Sequence, residues 1–238
     1  MKKPWTMIAK AGGRLEVQLY EEIGRDVWTG EGTTAKQFQE DLKAAGDVSS
    51  IHLRVNSPGG SVWDGISMYN ILLSHPATVS AQVDGLAASI ASVIIMAAEE
   101  ISMAANSMLM IHNPYTVMGG DAHEMRKMAE TLDKVKGSMI TAYRRHTKKT
   151  KEAVGKIMDD ETWLTAEEAV ESAFAEEILD PGETAGLAAN LASPILARCK
   201  HVPRDLAARL TARPASVSVP DEERDRLRLR ADLLRRLP

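Results

Sequence analysis

Apolar and polar residues alternate along three short stretches of the chain, and longer stretches repeat at helical spacing between them. Residues 14–20 (Arg14-Leu15-Glu16-Val17-Gln18-Leu19-Tyr20) alternate as a half-buried strand does, Ile51, Leu53 and Val55 point one way along a second, and residues 77–83 form a β-branched third. Thr33 or Thr34 is placed to cap a helix carrying Phe38 and Leu42 on one face. Ser61 opens a helix with Val62, Ile66, Tyr69 and Leu73 at helical spacing. The uncharged run 86–98 is too long for a strand and reads as a helix buried on all sides, stopped by Glu99 and Glu100 before it reaches the length of a membrane span. Ser89 then falls in the first turn of that helix, just past a turn at Gly85.

Farther on, 101–104 and 108–111 read as short strands, the second delivering His112 at its end. Residues 121–147 give the longest helix signal, with Met125, Met128, Leu132, Val135, Met139 and Tyr143 along one side as a core or subunit-contact stripe. A short helix at 151–158 precedes Asp159-Asp160-Glu161, Thr165 and Glu168 have capping-box spacing, and 174–179 closes the domain as a last strand. Strands alternating with helices predict an α/β fold with largely parallel pairing. After Asp180-Pro181-Gly182 the composition turns Ala- and Arg-rich, so 1–180 is expected to be one domain and 181–238 a partly disordered tail with a short helix at 222–237.

The bulk numbers narrow the class further. Hydrophobic residues at 44% and charged residues at 26% suit a globular protein, and a net charge of -4 gives no argument for nucleic acid. The single cysteine, Cys199, excludes an internal disulfide and fits a reducing compartment. Met1-Lys2-Lys3-Pro4-Trp5 lacks the apolar core of a signal peptide, and no stretch is long enough for a bilayer. The expectation is a cytoplasmic protein.

Candidate chemistry gathers where strands end. A serine nucleophile needs a base in hydrogen-bond reach, a group to orient the base, and donors for an oxyanion. Ser89, His112, an acid from Asp159-Asp160-Glu161, and Gly60 in the turn Asn56-Ser57-Pro58-Gly59-Gly60 could supply these. The competing reading has Ser89 and Ser92 bonding back to their own backbone in a small-residue helix. The G-x-S-x-G elbow of α/β-hydrolases is absent around Ser89.

Four motifs carry a resemblance. Asn56-Ser57-Pro58-Gly59-Gly60-Ser61-Val62, Gly85-Leu86-Ala87-Ala88-Ser89, Met110-Ile111-His112-Asn113-Pro114 and Trp163-Leu164-Thr165-Ala166-Glu167-Glu168-Ala169 occur in the order and approximate spacing of the Clp protease proteolytic subunit (ClpP) family of serine peptidases. The chain looks most like the phage and prophage branch of head maturation proteases, over roughly residues 14 to 180. The resemblance implies Ser89 as nucleophile, His112 as general base, and the backbone N–H groups of Gly60 and Ile90 as the oxyanion hole. It puts the acid at Glu161, where better-known members have Asp, with Asp160 as a competing candidate.

It also implies a ClpP/crotonase-like spiral of β-β-α units with a long handle helix at 121–147, to which the C-terminal tail does not conform. The implied assembly is a ring-shaped homo-oligomer, a heptamer or double heptamer, with active sites facing an enclosed chamber. Substrates would be proteins or peptides added as an extended strand, in the phage branch scaffold or head proteins. Neither cofactor nor metal is expected, nor a membrane or nucleic-acid partner. An AAA+ unfoldase is the family's usual partner, but the N-terminal segment contains no readable docking loop. Two rivals use the same scaffold: a crotonase-class acyl-CoA enzyme, which needs no serine, and a non-catalytic capsid-assembly protein.

Overall fold

A computed structural model describes residues 3–25, 32–179, 199 and 201–203, all within one compact unit, Met1–Pro203. The expected tail helix at 222–237 lies outside the described residues. The chain runs β1 (Trp5–Lys10), β2 (Arg14–Leu19), β3 (Gly24–Arg25), β4 (Gly32–Thr33), α1 (Ala35–Ala44), β5 (Ser50–Ser57), α2 (Val62–Leu73) and β6 (Thr78–Ala88). There follow α3 (Ile90–Ile94) with a 3-10 turn at Ile95–Ala97, β7 (Glu100–Ala104), β8 (Met108–Ile111), α4 (Ala122–Tyr143), α5 (Lys151–Asp159), β9 (Thr162–Thr165), α6 (Ala166–Glu171) and β10 (Glu177–Leu179). This is the mixed α/β architecture that the strand–helix alternation predicts.

Parallel pairing dominates the main sheet, ordered β1-β2-β5-β6-β7-β10, and its register follows the alternation in sequence. Leu15, Val17 and Leu19 lie beside Ile51, Leu53 and Val55, which lie beside Val79, Ala81 and Val83. All nine are buried. A one-residue slip would turn every one of them to the opposite face, so the pattern itself holds the register. On that opposite face the Asp84 carboxylate accepts from Arg54 Nε and Nη2 (3.0 and 2.7 Å), Gln82 Nε2 (2.8 Å) and Tyr20 Oη (2.7 Å). Burial and this carboxylate together push the Tyr20 phenol well above its usual range.

β6 is longer than its sequence signature. Gly85 does not end it: the strand continues to Ala88, with a register shift against β5 between Val55 and Ser57. There β6 changes partners. Ser80 to Val83 pair with β7, whereas Leu86 to Ala88 pair in parallel with Met108 to Met110 of β8. A Cβ on Gly85 would stand 2.9 Å from Asn56 Oδ1, so the missing side chain lets β5 and β6 approach at the irregularity. β8 in turn pairs antiparallel with β9, which the sequence reading left out.

The helices also depart in detail. The expected continuous helix from 86 becomes strand to Ala88, a short α3, and a 3-10 turn, though every residue from Leu86 to Ala98 is buried as expected. Of the α2 positions at helical spacing, Val62, Ile66 and Tyr69 pack partly buried against the core and Leu73 is exposed, while the fully buried face is Gly65, Met68 and Leu72. The reason is α3: a Cβ on Gly65 would lie 2.1 Å from Ile90 Cγ1, so the smallest residue of α2 faces the closest neighbour. α4 buries Val135, Met139, Ile140, Ala142 and Tyr143, while Met125 near its start is exposed. Capping boxes open α4 at Asp121 and α6 at Thr165.

Candidate active site

Three turns leave neighbouring strands at the same end of the sheet and meet. β5 runs into the Pro58-Gly59-Gly60 turn, β6 ends at Ser89, and β8 ends beside His112. Because β6 pairs with both β5 and β8 at its carboxyl end, the three segments are in register where they leave the sheet. Ser89 N–H donates to Met110 O at 3.0 Å, which ties the end of β6 to β8.

Ser89 caps α3 with φ 55° and ψ −128°, a conformation that costs a non-glycine residue free energy. It turns the side chain away from its own helix: Ser89 makes no capping bond, and its Oγ stands 2.7 Å from His112 Nε2. Both residues are buried, 6% and 8% exposed. The competing small-residue reading holds for Ser92, whose Oγ does bond back to the Ser89 carbonyl, and not for the side chain of Ser89. Burial holds the His112 imidazole below its usual range by disfavouring the charged form, and the Glu161 carboxylate opposes that shift.

Of the three acidic residues from the last position of α5 onward, Asp159 and Asp160 bond to groups other than His112. Asp159 accepts from Asn113 Nδ2 (2.8 Å) and Lys136 Nζ (2.6 Å), and Asp160 pairs with Lys156 Nζ at 2.6 Å. It is the charge of Glu161 that is felt at His112. Glu161 sits at φ 48°, immediately before β9, and its Oε1 accepts from His201 N–H at 2.8 Å. His201 belongs to the stretch assigned to the tail, so chain beyond residue 180 reaches the acidic turn.

The glycine turn lies against the nucleophile. A Cβ on Gly59 would be 2.7 Å from Ser89 Cβ and 3.2 Å from Ile90 N. Gly60, at φ 147°, is held by Ile23, whose N–H donates to Gly59 O (2.8 Å) and whose carbonyl accepts from Ser61 N–H (2.7 Å). Sequence reasoning passed over Gly59 and Tyr143. Gly59 was hidden by its neighbour in the same motif, and Tyr143 was absorbed into the α4 stripe. No cluster of three or more metal-ligating side chains occurs among the described residues, and no described helix is long and apolar enough to cross a membrane.

Chemically, the arrangement joins a hydroxyl, a buried imidazole in hydrogen-bond contact, a carboxylate felt by that imidazole, and a turn whose backbone crowds the hydroxyl. The family model described as Clp protease matches residues 32–182. An ATP-dependent Clp protease proteolytic subunit of Porphyromonas gingivalis is 34% identical over 141 residues, covering 58% of this chain and 64% of the relative. Proteolytic subunit 2 of Thermobifida fusca is 34% identical over 140 residues, 58% of this chain and 69% of the relative. A Bacteroides fragilis proteolytic subunit is 32% identical over 151 residues, 61% and 73%. The chain thus spans just under two thirds of the P. gingivalis relative's length. With the family model covering more than half of its residues, this chain belongs to the Clp protease family.

Proposed function

We propose that the protein is a serine endopeptidase using Ser89, His112 and Glu161, with Gly60 and Ile90 N–H groups as its oxyanion hole. The observation that carries this reading is the 2.7 Å contact between Ser89 Oγ and His112 Nε2 at a buried sheet end. Ser89 Oγ attacks the scissile carbonyl carbon as His112 Nε2 takes its proton. The carbonyl oxygen, now negative, is stabilised by the two amides. As the tetrahedral intermediate collapses, the C–N bond breaks and His112 returns the proton to the leaving amine. Water, deprotonated by the same imidazole, then hydrolyses the acyl ester and restores the serine. The Glu161 charge stabilises the imidazolium formed in each half.

Covalent labelling tests the reading directly. A fluorophosphonate should modify the wild-type chain at Ser89, and His112→Ala should slow labelling by several orders of magnitude. An acyl-CoA enzyme or an inactive assembly protein on this fold would resist the reagent, and resistance would end the peptidase reading.

The pH dependence follows from the direction of the His112 shift. Only the neutral imidazole can accept the serine proton, so kcat/KM should fall with acid, with its midpoint below the ordinary histidine value of about 6.5. Glu161→Gln removes the charge that favours protonation and should move the midpoint lower still, whereas Asp160→Asn should leave it in place. A shift in the second variant and not the first would transfer the role to Asp160.

On the motif resemblance, the working form is a ring-shaped homo-oligomer and the natural substrate a phage scaffold or head-assembly protein. The exposed Met125, on the half of α4 that leaves the core, supports a subunit contact there.

A further inference from the structure

Behind the nucleophile lies a buried pair of hydroxyls for which the reaction described above has no use. Ser92 Oγ is 2.5 Å from the Ser89 carbonyl oxygen and 2.7 Å from Tyr143 Oη. Ser92 and Tyr143 are both completely buried, and Tyr143 is further fixed by an edge-on contact with Phe174 at 6.0 Å between ring centroids. A serine hydroxyl has one hydrogen. Since Ser92 spends it on the Ser89 carbonyl, Tyr143 is the donor to Ser92, and the chain of hydrogen bonds runs one way from phenol to hydroxyl to carbonyl. Ser92 N–H adds a second bond to the same carbonyl at 3.0 Å.

That carbonyl shares a planar trans peptide with the N–H of Ile90. In such a unit the C=O and N–H vectors point in opposite directions, so whatever fixes the carbonyl of Ser89 also aims the amide of Ile90. The unit needs holding, because Ser89 sits in a strained region of backbone space. Hydrogen bonds accepted by the carbonyl also polarise the amide and make its N–H a stronger donor.

We propose that Ser92 and Tyr143 are positioning residues for the oxyanion hole, clamping the Ser89–Ile90 peptide so that the Ile90 N–H faces the reacting carbonyl. The inference rests on the peptidase reading above, and it makes α4 a structural input to the chemistry at the end of β6.

The test uses the full chain and three variants: Ser92→Ala, Tyr143→Phe, and the two combined. Measured quantities are kcat and KM on a fluorogenic peptide, affinity for a peptide boronate, whose tetrahedral adduct places an oxygen in the oxyanion hole, and the melting temperature. Ser92→Ala should lower kcat by about 10- to 100-fold, less than the roughly 100- to 1000-fold loss seen when a single oxyanion donor is removed outright. KM should stay constant, and boronate affinity should weaken by a similar factor. Tyr143→Phe should cost less, because the Ser92 hydroxyl still reaches the carbonyl. Ser92→Ala also strands the buried Tyr143 phenol and should lower the melting temperature, and the double variant should restore it by removing the stranded group. The decisive result is that the double variant regains stability without regaining kcat. Recovery of kcat together with stability would show a purely structural pair and overturn the proposal, as would unaltered kcat in Ser92→Ala. Wild-type protein that neither turns over peptide nor reacts with fluorophosphonate would instead remove the peptidase reading, and this inference with it.

Discussion

Ser89→Ala should give a folded chain whose kcat falls by about five to six orders of magnitude, the scale on which a nucleophile of such a unit fails. The side chain can be spared without collapse because its described hydrogen bond is to His112, and the backbone ties at this position are made by Ser89 N–H and the Ser89 carbonyl. Alanine keeps those ties and the same backbone strain, so the melting temperature should change little. A fluorogenic peptide assay beside a thermal melt separates the two effects. Turnover near the wild-type level in a well-folded variant would show that another group attacks the substrate.

Gly60→Ala should damage both activity and stability, for a different reason. A Cβ there would lie 2.0 Å from Ile23 O and 2.7 Å from Ile23 N, against backbone that cannot rotate out of the way. The same Ile23 groups bond Gly59 and Ser61 on either side, so the turn cannot shift without breaking both contacts. Its φ of 147° adds a conformational cost for any L side chain. We expect a loss of about 2–3 kcal/mol, at the upper end for ordinary substitutions. We also expect kcat to fall at least about 100-fold as the amide leaves the oxyanion site. Gly12→Ala is the control: Gly12 also has positive φ, at 75°, but its Cβ would meet nothing within 4 Å. It should lose a little stability and no activity. Equal turnover by wild type and Gly60→Ala would remove Gly60 from the oxyanion hole.

Much of this arrangement was legible in the chain itself. Period-two alternation located β2 and β5, and their pairing puts Val17 beside Leu53 as the pattern requires. The Thr165 and Glu168 spacing marked a real capping box. Strand ends followed by Asn-Ser-Pro-Gly-Gly and by His112 located two of the three converging turns. What could not be read was tertiary in origin. Leu86, Ala87 and Ala88 have no strong strand preference, and they are strand because Met108 to Met110 lie alongside. The fully buried face of α2 is not evident from its apolar spacing, because Gly65 carries no hydrophobic signal, yet it faces Ile90. That Asp159 pairs with Asn113 and Lys136, and Asp160 with Lys156, depends on where those side chains reach, which no local pattern contains.

The backbone twist at residue 89 has a wider consequence. Holding a serine at φ 55° and ψ −128° costs about 1–3 kcal/mol, a sizeable share of the margin by which a domain stays folded. The feature that sets the hydroxyl against His112 therefore works against the durability of the fold. On the proposed peptidase reading, a descendant lineage released from that activity would gain robustness by accepting glycine there, so erosion of the chemistry should begin at residue 89.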